Sequence, residues 1–279
     1  MIVDCFLFFN EFDILNYRLA SHGPCVDKFV ILESNTTFTG EKRQLQFKKE
    51  KYPNHNIDYY VYDGMTKKFS SPMEMEINQR NTLKDCVIES DINENDILII
   101  SDVDEVYDTI SLNKLLKILR DKPIRGHLYY NEFFLNLFRV YTDKRQTHVS
   151  SFPELQSWFG PWVGRYHKRL DFQQTREIIS WGWHGEKPED YDIVDEFCGY
   201  HFTSLFGTNH NKFVSKMRGY AHGLQDDHKK FHTMTSLNYF KHIKEKLKNN
   251  HLLINNNLMS PYWSIISPYW IQYKDYIYK

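Results

Sequence analysis

Closely spaced cysteines are missing from this sequence. Only four occur, Cys5, Cys25, Cys86 and Cys198, with no Cys-x-x-Cys pair. That spacing excludes the usual zinc and dithiol redox motifs; Cys5 and Cys86 fall in apolar patterns that suit reduced core residues. A basic excess is missing too, since 35 Lys and Arg stand against 36 Asp and Glu. A nucleic-acid binder carries a basic surplus, so any phosphate must be met here by a few placed groups or by a metal ion. No stretch approaches the roughly 18 apolar residues of a membrane span. The N-terminus has no basic region ahead of an apolar run, so no signal peptide is expected. The simplest expectation is a cytoplasmic protein with no membrane anchor, in which the sequon Asn35-Thr36-Thr37 has no glycosylation role.

What is present is a chain of 279 residues, room for one large domain or two small ones, with 41% hydrophobic residues to build a core. Aromatic residues reach 16%, which fits either stacking on sugar rings and bases or an A/T-rich coding bias. Ile2–Phe9, Phe29–Leu32, Asp58–Asp63 and Ile97–Ile100 read as strands. Asn10–Leu19 reads as a helix. Ser71-Pro72-Met73-Glu74 is a capping box that opens a second helix running to Glu89. Strands alternating with helices predict an α/β fold with a mostly parallel sheet flanked by helices, whose ligands sit beyond the carboxyl ends of the strands. Asn10-Glu11, Glu33, Asp63 and the cluster Asp102-Val103-Asp104-Glu105 all fall at such ends. Further on, Ser111–Leu119, Asn211–His222 and Ser236–Lys248 read as helices, Leu128–Phe138 as an aromatic strand, and Phe152–Tyr166 as a loop or lid. The expected division is a catalytic domain over 1–250 and an aromatic extension packed on it over 251–279.

The acidic cluster carries the chemistry. Residues i and i+2 of an extended segment point the same way, so Asp102 and Asp104 can converge on one hard cation, Mn2+ or Mg2+. The competing reading is an acidic turn that caps the next helix. Two protein classes place such a pair after an apolar strand. Haloacid-dehalogenase-like phosphatases use Asp-x-Asp with the first Asp as nucleophile, but after the first strand of the fold, and here three strands come before it. GT-A nucleotide-sugar transferases carry the pair on a mid-chain strand, as here.

A closer resemblance lies in the flanking segments. Asp4 to Leu15 with Arg18-Leu19, Val26 to Glu33, Thr37-Phe38-Thr39-Gly40, Gln79-Arg80-Asn81 and Ser101 to Glu105 resemble glycosyltransferase family 17 in order and content. Phe197 to Phe202 resembles its Gly-Trp-His-Phe segment with Tyr200 in place of Trp, and Tyr220-Ala221-His222 resembles its Phe-Ser/Ala-His. The family includes the transferase that places bisecting N-acetylglucosamine on N-glycans. The resemblance implies a GT-A-like fold, to which the helical pattern late in the chain adds a C-terminal helical extension. It also implies inverting, metal-dependent transfer of N-acetylglucosamine from UDP-N-acetylglucosamine to a glycan hydroxyl in β linkage.

On that basis Asp104 is the preferred metal ligand, with His201 as its partner and Asp102 meeting the metal, its water or the ribose. Phe8, Asn10, Glu11, Glu33 and Arg80 are the further nucleotide-sugar candidates. Four of these have a plain competitor: core packing for Phe8, a helix cap for Asn10 and Glu11, and a surface ion pair with Glu76 for Arg80. Glu105 can simply open the next turn, and His184 and His222 are weaker candidates. Glu154, Glu186 and Asp190 are the candidates for the base that deprotonates the acceptor. Trp158, Trp162, Trp181 and Trp183 are candidates for a sugar-stacking wall. The competing functions are the phosphatase and an inactive glycan-binding module. The expected partners are a UDP-sugar and a glycan, without nucleic acid.

Overall fold

The computed structural model describes residues 1–66, 68–142, 147–176, 190–221, 224–258 and 277–279. Strand β1 (Ile2–Phe8) alternates Val3 and Cys5 with Phe6 and Phe8, all of them buried. A strand apolar on both faces needs a covering layer on each side. Helix α1 (Phe12–His22) supplies one layer through Leu15 and Leu19, which cluster with Phe6 and Phe8. β2 (Lys28–Ser34) and β3 (Ile57–Tyr62) extend the sheet in parallel. Helix α2 (Pro72–Glu89) supplies the other layer, its Leu83 and Val87 clustering with Val3, Val30 and Leu98. The capping box starts it: Ser71 Oγ accepts the Glu74 amide at 3.2 Å. The Glu74 carboxylate takes the amide and hydroxyl of Ser70, each at 2.6 Å.

β4 (Ile97–Asp102) pairs with the free edge of β1 and completes the parallel order β3-β2-β1-β4. The sheet then changes character. The next elements are β5 (Glu105–Tyr107), α3 (Thr109–Ile118), β6 (Ile124–Glu132) and β7 (Leu137–Arg139). They are followed by β8 (Thr147–Val149), β9 (Phe152–Trp158), β10 (Trp162–Arg165) and β11 (Asp192–Thr203). β10 runs antiparallel to both β4 and β6 and joins them. β11 lies parallel to β6 and antiparallel to β5. The expected mostly parallel sheet is therefore corrected to a mixed one, in which antiparallel pairings outnumber parallel ones. The reason is connection length: short turns link β6 to β7 and β8 to β9, and only a long crossover returns a strand in parallel.

Two further expectations change. The stretch 152–166, read as a loop or lid, forms β9 and β10, with Trp162 and Val163 almost fully buried. The single strand read over Leu128–Phe138 breaks after Glu132. Phe133 takes a positive φ of 66°, and β7 turns back antiparallel to β6.

α4 (His210–Gly219), α5 (Asp226–Lys229), α6 (Ser236–Lys248) and β12 (Leu252–Ile254) complete the chain order. Phe213, Met217, Tyr239 and Ile243 form one core with Phe133 and Phe134. β12 pairs with β7, and the Tyr278 amide donates to Asn136 Oδ1 at 2.9 Å. Residues 259–276 lie outside the described residues. Because β10 is antiparallel to both β4 and β6, the carboxyl ends of β1, β2, β4, β6 and β11 share one edge.

Candidate active site

The acidic turn at the end of β4 rests on a buried base. Asp4 faces α1, where charge would be unaffordable alone, and it is met by Arg18 at 2.5 Å and His22 at 2.8 Å. Arg18 then gathers the turn. Its Nη1 donates to the carbonyls of Asp102 at 2.8 Å, Val103 at 3.5 Å and Glu105 at 3.0 Å, and its Nη2 to Ser101 Oγ at 2.6 Å. His22 Nε2 accepts the Tyr107 amide at 3.1 Å. Burial pushes the Asp4 carboxyl up, but Arg18 and His22 outweigh it and lower it to about 2.

Above this base sit three carboxylates and three cations. Asp102 Oδ1 accepts Arg80 at 3.0 Å, and Oδ2 accepts both Arg80 at 3.2 Å and Arg176 at 3.1 Å. Burial pushes its carboxyl up, and the Arg176 and Arg80 guanidinium groups override that and hold it well below the ordinary range. Arg80 also reaches Glu76 at 2.6 Å, so the expected i, i+4 pair exists, and it turns Arg80 toward Asp102 rather than toward solvent. Glu105 takes a two-pronged clamp from Arg176, both bonds 2.6 Å, and a third bond from Trp158 Nε1 at 2.6 Å. It also accepts the Asp102 amide at 3.0 Å. Glu105 thus braces the turn. Gly160 lets it do so: a Cβ there would stand 2.6 Å from Glu105 Oε1.

Asp104 is paired differently. Lys216 Nζ, from α4, lies 3.1 Å from Oδ2, and His201 Nε2, from β11, lies 3.9 Å from Oδ1. Burial raises the Asp104 carboxyl, while Lys216 and His201 override it and leave it lowered. Burial lowers the His201 imidazole against the pull of Asp104 and Glu105. The shifts favour the ionised carboxylate of Asp104 and move His201 toward its neutral form, the forms that ligate a cation. His201 Nδ1 is buried with no hydrogen-bond partner. Trp158 and Tyr130 flank the His201 ring at centroid distances of 4.9 and 4.7 Å. Among the described residues no group of three or more His, Cys, Asp or Glu could hold a metal ion. A cation held by Asp104 and His201 alone would need its other positions filled by water and substrate phosphate.

Other sequence candidates fall elsewhere. Phe8 is 3% exposed and packs on Phe12 and Phe47, so it belongs to the core. Glu33 is fully buried, and its oxygens take Arg43, the Gln46 and Phe47 amides and the Tyr59 hydroxyl. It anchors the loop after β2 and has no capacity left for a nucleotide. Asn10 and Glu11 do lie at the carboxyl edge; Glu11 occupies the N-cap position of α1 but makes no side-chain cap bond, accepting instead the Asn10 amide at 3.0 Å. Glu154 is exposed on β9, four residues from Trp158, or roughly 13 Å along an extended strand. Asp190 is exposed just ahead of β11, whose start pairs with Ile124. That is the opposite edge of the sheet from the acidic turn. Trp162 is a core residue, whereas Trp158 lines the site. Trp181, Trp183, His184, Glu186 and His222 lie outside the described residues.

The sequence reading missed Asp4, Arg18, Arg176 and Lys216 as site residues. Asp4 and Arg18 carried a usable signal, charges placed where the period of β1 and α1 calls for apolar side chains. Arg176 and Lys216 carried none.

A mixed α/β sheet with an acidic turn and a basic clamp at its carboxyl edge suits an enzyme that handles an anionic group-transfer donor. The family model for glycosyltransferase family 17 matches residues 1–243. The chain belongs to that family and is a glycosyltransferase. A search among curated proteins returned no match. The membership does not favour the phosphatase or the inactive binding module. No helix among the described residues is long and apolar enough to cross a membrane.

Proposed function

We propose that this chain transfers N-acetylglucosamine from UDP-N-acetylglucosamine to a glycan hydroxyl. The transfer is a single inverting displacement that gives a β linkage, and Mn2+ or Mg2+ is held by Asp104 and His201. The observation that carries the proposal is the pairing around the acidic turn: Asp104 faces His201 and Lys216 while Asp102 is oriented by Arg80 and Arg176. The strand order β3-β2-β1-β4-β10-β6, with β10 the antiparallel member, supports a GT-A-like arrangement.

The cation, when bound, neutralises charge on the leaving diphosphate. The protein's own residues supply the rest. Arg80 and Arg176 keep Asp102 ionised; Oδ2 accepts from both of them, while Oδ1, bonded to Arg80, keeps a lone pair for a ribose hydroxyl or a bound water. Lys216 is the mobile positive charge at the same place, able to trade Asp104 for a phosphate oxygen. Trp158 and Tyr130 wall the His201 side and limit water. With Glu154 and Asp190 placed away from the turn, Glu186 is the remaining base candidate, ten positions along the chain from Arg176.

The test is UDP release from UDP-N-acetylglucosamine with Mn2+, with and without simple sugar acceptors. The absence of metal-dependent UDP binding, together with no hydrolysis or transfer from any UDP-sugar, would sink the proposal.

A further inference from the structure

Helix α4 divides its polar residues between two stripes. Lys212 and Lys216 form one, reaching Asp13 at 3.5 Å and Asp104 at 3.1 Å. Asn211, Val214, Ser215 and Arg218 form the next, at the i, i+3, i+4, i+7 spacing of a single helix face. This second stripe lines an open surface cavity of about 430 Å³, flanked by Thr37 and Glu41 on one side and by His232, Thr233 and Met234 on the other. The volume lies within the range of small-molecule sites.

Its walls are fixed by backbone bonds. The Phe38 amide donates to the Gly219 carbonyl at 3.1 Å, and Thr39 Oγ1 to the Arg218 carbonyl at 3.0 Å. Thr37 Oγ1 accepts the Glu41 amide at 3.0 Å. On the far side Arg218 Nε donates to the His232 carbonyl at 2.9 Å and Nη2 at 2.5 Å. Against this rigid frame, the side chains of Glu41, Asn211, Ser215 and Thr233 make no hydrogen bond or ion pair with another described residue. A carboxylate, an amide and two hydroxyls, all on exposed residues and without a partner among the described residues, therefore stand open to a ligand around one concavity.

The chemistry of that set is selective. Arg218 is the cationic group of the lining, and two of its nitrogens are spent on a carbonyl, while Glu41 adds a negative charge. A phosphate group would meet no free cationic clamp. An apolar ligand would strand the four polar side chains. A neutral polyol satisfies them, since vicinal hydroxyls both donate and accept, and Val214 and Met234 offer small apolar faces for C–H edges. We propose that this pocket is a saccharide subsite, holding sugar residues of the glycan acceptor beyond the one that receives the transferred unit. The assignment to the acceptor rests on the transferase reading above; the binding of saccharide does not.

Saturation-transfer NMR on the full chain tests it, with cellobiose, lactose and N,N′-diacetylchitobiose as probes at millimolar concentration. At least one disaccharide should show transfer. Ser215→Trp, which fills the cavity, should abolish the signal, and Glu41→Gln should weaken binding by about tenfold, the loss of one charged hydrogen bond. Both variants should keep metal-dependent UDP binding. Asp104→Asn should do the reverse, losing UDP binding and keeping the disaccharide signal. No signal from any probe overturns the subsite, as does a signal unchanged in both pocket variants. If Ser215→Trp does not fold, the exposed and conservative Glu41→Gln decides. A disaccharide signal sensitive to both substitutions in a protein that binds no UDP would support the pocket and strike only the donor reading.

Discussion

Arg18 occupies a position on α1 where the helical period places it against the sheet, fully buried among apolar neighbours. A lone guanidinium there would cost several kcal/mol. It is stable because Asp4 balances its charge and the turn carbonyls take its remaining N–H groups. Replacing Arg18 with Met strands Asp4 and frees the turn at once. The expected loss is about 3–5 kcal/mol, measured by urea unfolding, with Arg18→Lys recovering only part of it because Lys cannot span Asp4 and three carbonyls. On the proposed function, Asp104 and Lys216 act at the chemistry itself. Asp104→Asn should lower transfer by at least on the order of 100-fold and abolish metal-dependent UDP binding, read by calorimetry. Lys216→Met should split two observables. It removes the cation that competes for Asp104, so Mn2+ should bind the free enzyme more tightly, while kcat falls because the leaving diphosphate loses a positive charge. Tighter metal binding with unchanged kcat would count against the diphosphate role.

At the scale of the element, the site depends on how closely β5 and β11 approach. Gly199 faces Tyr107 across this antiparallel pair, and a Cβ at 199 would stand 2.6 Å from Tyr107 Cα, with the Val106 carbonyl closer still. Backbone cannot yield as a flexible side chain can. Gly199→Ala should therefore destabilise by about 1–3 kcal/mol, the usual cost of overpacking. It should also displace His201, two residues on, so that metal affinity falls along with the thermal midpoint. The elements themselves were readable to different degrees. β1 to β4, α1 and α2 follow from apolar runs, alternation and one capping box, all local signals. β9 and β10 were hidden because Trp158, Gly160, Pro161 and Trp162 suggest a turn. The chain does not reverse there: β9 and β10 run the same way along β6, both antiparallel to it, and 159–161 is only the irregular link between two strands whose partners β6 and β4 lie far away in sequence.

At the scale of the whole molecule, buried titrating groups set the response to acid. Asp4 and Glu132 are each lowered to about 2, from ordinary values of 3.8 and 4.5. For Glu132, burial opposes the shift, and Arg139 and Lys246 carry it. An unfolded chain binds these protons first, so the stabilisation is fully present above the ordinary values and is lost as pH falls toward 2, about 2–3 kcal/mol for each group. Burial also lowers His127, from 6.5 to about 4. A neutral buried imidazole acts in the same direction, its contribution falling between pH 6.5 and 4. Urea midpoints should therefore rise from pH 3 to about 6.5 and then level off near neutrality, where none of these three groups titrates. A midpoint that declined over that acid range on raising the pH would contradict the assigned pairs.

By itself the sequence determined the parallel half of the sheet, the strand that delivers Asp102 and Asp104, and the family, because apolar period, capping chemistry and local motifs are written in consecutive residues. Tertiary structure alone decided the rest. It turned the second half of the sheet antiparallel, placed Phe8 and Glu33 in buried packing, and put Glu154 and Asp190 away from the acidic turn. It also brought Arg18, Arg176, Lys216 and His201 to the acidic turn from positions up to nearly 200 residues apart. The physical reason is that a carboxylate's role is set by what neutralises it. Asp102, Asp104 and Glu105 are adjacent in the chain, but their partners are chosen by strand pairing and helix packing. Those partners make Glu105 a brace and leave Asp104 facing His201.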